Sequence, residues 1–133
     1  MADALFGKTW KMNAGASLFS TSFRPAQETR LYEERPNGYK LTVSGSHDRK
    51  PYSWGYEAYH DGKPYPVHGR DDVDAITIFR LSDTLTCGFF SQKEKEGGAY
   101  KRTMDAASNT LRVEAAGRRS DGTPYYDVIT YSL

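Results

Sequence analysis

Tyrosine, histidine and arginine are the residue types here that could move a proton or hold a charge inside a pocket. Tyr56 and His60 fall in the stretch Tyr52 to His60, where Trp54, Tyr56, Ala58 and His60 alternate against Ser53, Gly55, Glu57 and Tyr59. A period of two puts each set on one face of a strand. Arg30 and Tyr32 share a face in the same way. A free imidazole titrates near ~6.5, so His60 could act as a general base. A tyrosine such as Tyr56 could also move the proton, while Arg30 stabilises a developing enolate or carboxylate. Each residue has a plain structural reading too. Arg30 could be an exposed strand residue, His60 a capping residue beside a turn, and Tyr32, Tyr56 and Tyr100 packing aromatics with bonded hydroxyls.

These residues need strands to position them, and the sequence supplies strands almost throughout. Lys8 to Asn13, Gln27 to Glu34, Tyr39 to Ser44, Tyr52 to His60 and Tyr65 to Gly69 are β-rich and alternating. Ala75 to Leu81, Thr84 to Gln92, Ala99 to Met104, Thr110 to Ala116 and Tyr125 to Leu133 follow. Short turns such as Pro36-Asn37-Gly38 separate them. The best helical candidate, Ala14 to Phe23, is short and rich in Ser and Thr, so a turn or two is all it should form. The expectation is an all-β fold: an antiparallel up-and-down barrel of about eight to ten strands, with one short helical turn after the first. Closure removes the two edges that a long meander would expose. The 133 residues fit one such domain, 1–133.

Composition excludes several classes. A net charge of +1, from 18 basic and 17 acidic residues, gives no electrostatic case for nucleic acid. No apolar run approaches the ~20 residues of a membrane span. The first six residues carry no basic stretch before an apolar core, and the one cysteine, Cys87, can form no internal disulfide. A cytoplasmic location is the expectation. No phosphate loop, metal-ligand spacing or nucleophile elbow occurs, so neither cofactor nor metal is called for. Asp71-Asp72-x-Asp74 and Arg118-Arg119 read as solvated turns. Three Asp-x-x-Pro-Tyr segments, ending in Tyr52, Tyr65 and Tyr125, read as hairpin punctuation.

Several stretches resemble one family. Phe6-Gly7-Lys8-Thr9-Trp10 resembles the Gly-x-Trp opening of lipocalin-like domains. Tyr59-His60-Asp61-Gly62-Lys63-Pro64-Tyr65-Pro66-Val67-His68-Gly69 resembles a segment of small bacterial lipocalin-like proteins, and Asp74 to Arg80, Arg102 and Gly117 to Gly122 resemble their later strands and turns. The resemblance implies a calycin-type barrel around a cavity for a small apolar or amphipathic molecule. It implies a structural Trp10 plugging the closed end, with Arg102 or Arg112 packed over it. His60 and Arg30 depart from the family's usual residues.

Alternation then assigns an interior: Trp10 and Met12; Tyr39, Leu41 and Val43; Trp54, Tyr56, Ala58 and His60. Along Gln27 to Glu34 alternation leaves the inward face open, and the register implied by the family resemblance puts Arg30 and Tyr32 there together. Ile76, Ile78 and Arg80, then Leu85, Cys87 and Phe89, then Val128 and Thr130 complete it. Ligand contacts are expected from Tyr32, Tyr39, Leu41, Trp54, Ile78, Arg80, Phe89 and Tyr100. Such a lining suits a small hydrophobic or aromatic ligand held by a monomer or homodimer. The alternative is a cofactor-independent cyclase, isomerase, lyase or dehydratase for a small, polyketide-like substrate. In that reading Tyr56 or His60 moves the proton and Arg30 stabilises the charge.

Overall fold

In a computed structural model of the chain, which describes residues 4–21, 24–93, 95–119 and 121–133, the strands close into a barrel. Strand β1 is Thr9–Met12 and a single 3-10 turn follows at Ala14–Ala16. Then come β2 (Gln27–Arg35), β3 (Gly38–His47), β4 (Lys50–Tyr59), β5 (Tyr65–His68) and β6 (Ala75–Arg80). The last four are β7 (Leu85–Gln92), β8 (Lys95–Asp105), β9 (Thr110–Arg118) and β10 (Pro124–Ser132). Each strand pairs antiparallel with its neighbours in sequence, and β1 joins β2 to β10. The barrel and its one helical turn follow the expectation.

Turn chemistry sets the registers. Asp48 and Arg49 link β3 to β4 with φ of 52° and 64°. Two consecutive positive φ values give the primed turn whose twist matches a two-residue hairpin. Asn37, at φ 54°, turns β2 into β3, and its carbonyl accepts from the His60 amide at 2.8 Å.

The inward faces form the core. Trp10, Tyr32, Tyr39, Leu41, Val43, Ile76, Ile78, Leu111 and Tyr131 are all essentially buried. Trp10 donates its indole N–H to the Leu5 carbonyl at 3.0 Å. The arginine expected over Trp10 lies elsewhere. The Arg102 guanidinium sits 4.7 Å from the ring centre of Tyr32 and 4.9 Å from that of Tyr39. Arg112 is more than half exposed and pairs with Glu114.

Two strands face the other way from the expectation. On β7 the residues turned inward are Thr86, Gly88 and Phe90, so Phe89 lies outside, 46% exposed and edge-on to Phe79. The reason lies in β8. Arg102 pairs with Thr86 and Tyr100 with Gly88, and these two large inward side chains need small neighbours. A Cβ on Gly88 would fall 2.6 Å from the Tyr100 ring. On β10 the cavity residues are Tyr125, Asp127 and Ile129, which puts Val128 and Thr130 on the outer face. Arg80, at the end of β6, also points outward, to Asp83 at 2.7 Å.

Candidate functional site

The barrel encloses a cavity of about 660 Å3. Its apolar wall is mainly aromatic, with Tyr32, Trp54, Tyr56, Phe90, Tyr100 and Tyr125 among the lining residues. Charged residues are interleaved with these rings, Arg70 over Trp54 and Arg119 over Tyr125, and the densest charged group is built around Glu28.

Glu28 lies on β2 two residues before Arg30 and four before Tyr32, so all three point inward. It is 6% exposed, and both its oxygens are engaged. Oε1 accepts from the Tyr131 hydroxyl and from Arg30 Nε at 3.2 Å. Oε2 accepts from the Tyr52 hydroxyl at 2.6 Å. Arg30 Nε also reaches the Tyr131 oxygen at 2.8 Å, and its NH1 the Tyr32 oxygen at 3.4 Å. Gly45 makes room for Tyr52: a Cβ there would lie 2.6 Å from the Tyr52 hydroxyl oxygen.

Burial, and then the Glu28 charge, push the Tyr52 hydroxyl well up from its usual range. Burial does the same at Tyr131, with Arg30 acting against it and Glu28 with it. Both tyrosines therefore stay protonated and donate to the carboxylate.

Tyr39, Tyr56 and Tyr100 form a second hydroxyl cluster. Tyr39 Oη lies 2.7 Å from Tyr56 Oη and 3.0 Å from Tyr100 Oη. Tyr39 itself is fully buried and does not line the cavity, whereas Tyr56 and Tyr100 do. Burial first, then the neighbouring tyrosines, raise Tyr56 and Tyr100 far above the usual phenol range. These groups are donors at neutral pH, not bases.

Two further ion pairs complete the wall. Arg70 holds Asp72 through two hydrogen bonds of 2.7 and 2.6 Å, and its guanidinium lies 4.6 Å from the Trp54 ring centre. Burial pushes Asp72 up, but the Arg70 contact outweighs it and holds the carboxyl below its ordinary value. Arg119 bonds Asp127 at 3.0 Å and covers Tyr125 at 4.1 Å. Asp72 and Arg119 thus belong to the cavity, not to the solvated turns expected of their segments.

Of the candidates read from sequence, the cavity gathers Arg30, Tyr32, Trp54, Tyr56 and Tyr100, with Arg102 beside them. Leu41 and Ile78 are packed in the core. Phe89 and Arg80 are outside, and their expected ligand contacts are corrected accordingly. His60 does not line the cavity; its ring centre lies 6.0 Å from that of Tyr39. Its Nε2 is buried without a hydrogen-bond partner, and burial, then Arg102 and Arg80, lower its pKa below the usual imidazole value. Glu28 escaped the sequence reading although the alternation that joined Arg30 to Tyr32 also includes it. Tyr52 and Tyr125, which the sequence marks as the ends of turn segments, both line the cavity. Tyr65, the third, is the one that stays with its turn, bonded to Asp61.

Among the described residues, no cluster of three or more His, Cys, Asp or Glu could hold a metal ion. No helix among them is long and apolar enough to cross a membrane. Compared with family models, curated proteins and solved structures, the chain matches none.

Proposed function

We propose that this barrel is a cofactor-independent enzyme of the cyclase, isomerase, lyase or dehydratase kind, acting by proton transfer on a small aromatic or conjugated molecule. We read its scaffold as lipocalin-like. The observation that carries the proposal is Glu28: a buried carboxylate on the cavity wall, held by two tyrosine hydroxyls and a guanidinium. A carrier needs an apolar wall with a few polar anchors. It does not need a charged network, since apolar residues of equal volume are often as stabilising as a buried ion pair. A fixed carboxylate sharing one cavity with protonated phenols is, by contrast, an acid–base arrangement.

In outline, a C–H bond beside a substrate carbonyl breaks and its proton passes to Glu28. The electron pair spreads onto the carbonyl oxygen, where the hydroxyls of Tyr56 and Tyr100 stabilise the oxyanion. Return of the proton from Glu28 to a different carbon completes an isomerisation and restores the carboxylate. Arg30, Tyr131 and Tyr52 hold Glu28 in one orientation throughout.

The second reading, a simple carrier, is favoured by the aromatic wall. One experiment separates the two. The protein is incubated in D2O with 2-tetralone, 2-acetylnaphthalene and ethyl benzoylacetate, and α-proton exchange is followed by NMR. Saturable acceleration by wild type, reduced by about a hundredfold or more in Glu28→Gln, is expected. Saturable binding without any exchange would leave the carrier reading in its place.

A further inference from the structure

Four arginines line the cavity: Arg30, Arg70, Arg102 and Arg119. Three face a carboxylate within ion-pair distance, namely Glu28, Asp72 and Asp127. Arg102 is the exception. Among the described residues, no Asp or Glu forms an ion pair with it. Yet it is only 7% exposed. Its NH2 donates to Thr86 Oγ1 at 3.0 Å, and its NH1 is buried with no hydrogen-bond partner.

A buried cation can escape the penalty of desolvation by losing its proton, as lysine does, or by meeting an anion. Arginine lacks the first route, because its guanidinium does not deprotonate in proteins. The rings of Tyr32 and Tyr39 offer their faces to Arg102, which softens the penalty without cancelling the charge. The tyrosine hydroxyls around it are neutral, and His60 nearby can supply no negative charge. The wall therefore carries one positive charge that nothing in the described protein balances.

We propose that Arg102 is an anion subsite, and that the cavity takes a small planar aromatic or conjugated molecule bearing a carboxylate. The Arg102 guanidinium donates to a carboxylate oxygen, while the flat body of the molecule lies against Tyr32, Trp54, Tyr56, Phe90 and Tyr100. This rests on the reading of the cavity as a small-molecule site. It adds the class of molecule and the residue that selects it. The carboxylate keeps its charge through the reaction, so Arg102 orients the molecule relative to Glu28 and takes up no proton.

The test compares two probes of nearly equal shape, 2-naphthoate and methyl 2-naphthoate, by calorimetric titration of the whole protein at neutral pH. Wild type is expected to bind 2-naphthoate at least about tenfold more tightly than the ester. In Arg102→Met the two affinities become equal while that for the ester is retained. Where Arg102→Met does not fold, Arg102→Gln, which keeps a donor for Thr86 without the charge, takes its place. 2-Naphthylmethylamine, a cation of similar size, should bind wild type more weakly than either. Equal binding of acid and ester by wild type would overturn the subsite and leave the cavity reading standing. So would a preference for the acid that survives the loss of the Arg102 charge. Failure of wild type to bind either probe would remove the cavity reading, and the subsite with it.

Discussion

Gly88 and Tyr100 face each other across the β7–β8 ladder, and the absence of a side chain on the first is what lets the ring of the second pack against its backbone. A Cβ at position 88 would meet Tyr100 Cε1 at 2.6 Å and the Thr77 carbonyl oxygen at 2.6 Å. The ring can swing aside; the Thr77 backbone has less freedom. Gly88→Ala is therefore expected to destabilise the fold by about 1–3 kcal/mol, the usual range for overpacking. It should also pull Tyr100 away from the Tyr39 hydroxyl. Urea denaturation checks the first effect, and loss of ligand-induced thermal stabilisation the second.

Breaking the Glu28–Arg30 pair and removing it should have opposite consequences. Glu28→Ala strands a guanidinium that is itself 7% exposed. The expected loss is about 3–5 kcal/mol, as when one partner of a buried ion pair is deleted. The double change Glu28→Met with Arg30→Met, made together with Tyr131→Phe so that no buried hydroxyl loses both its partners, fills the space with apolar atoms and should be near neutral, or stabilising by about 1–4 kcal/mol. It should also abolish proton transfer. Denaturation of the single and combined variants, set beside the exchange assay, separates stability from activity.

The protonated tyrosines make stability sensitive to alkali. Tyr56, Tyr100 and Tyr131 have folded pKa values raised by burial above that of an exposed phenol. Up to about pH 10 both folded and unfolded chains hold these protons, and the native state is not disfavoured. Above it, the unfolded chain loses them first, so stability falls as pH rises towards the folded values. Melting temperatures measured between pH 8 and pH 11 should drop past about 10. Tyr56→Phe should make that drop shallower.

His60 has the opposite sense. Its folded pKa lies below the imidazole value because of burial and the charges of Arg102 and Arg80, with Asp61 acting the other way. As pH falls below ~6.5 the unfolded chain takes up a proton that the native chain resists, so stability declines until the folded value is passed. His60→Phe should flatten the melting-temperature profile across that window. An unchanged slope would mean that other groups set it.

Much of this was legible in the sequence because the barrel has so few exceptions to its own rules. β3 and β4 alternate cleanly, and Tyr39, Leu41, Trp54 and Tyr56 all face inward as the pattern requires. The pattern failed on β7, where Leu85, Cys87 and Phe89 look more like an inner face than Thr86, Gly88 and Phe90. Hydrophobicity was the wrong guide there. Thr86 and Gly88 are small because Arg102 and Tyr100 arrive opposite them from the next strand, and only strand pairing reveals that. Glu28 and Asp72 were hidden for a related reason. A carboxylate reads as solvent-facing until its partners are known, and those partners come from β2, β4 and β10 for Glu28 and from Arg70 for Asp72.

The closing seam of the barrel is thin. β1 joins β10 through just two register pairs, Lys11 with Ser132 and Met12 with Tyr131. The other ladders join sequence neighbours and can zip hairpin by hairpin, whereas this one bridges almost the full chain. Its closure bears the largest loop entropy and comes late in folding. Until then β1 and β10 are bare edges, each able to capture a strand of another chain. Two register pairs long, like the ladders of β5 with β4 and β6, the seam is also a place where the native barrel can open locally. Amide hydrogens on β1 should therefore exchange with solvent sooner than those of the long β3–β4 hairpin.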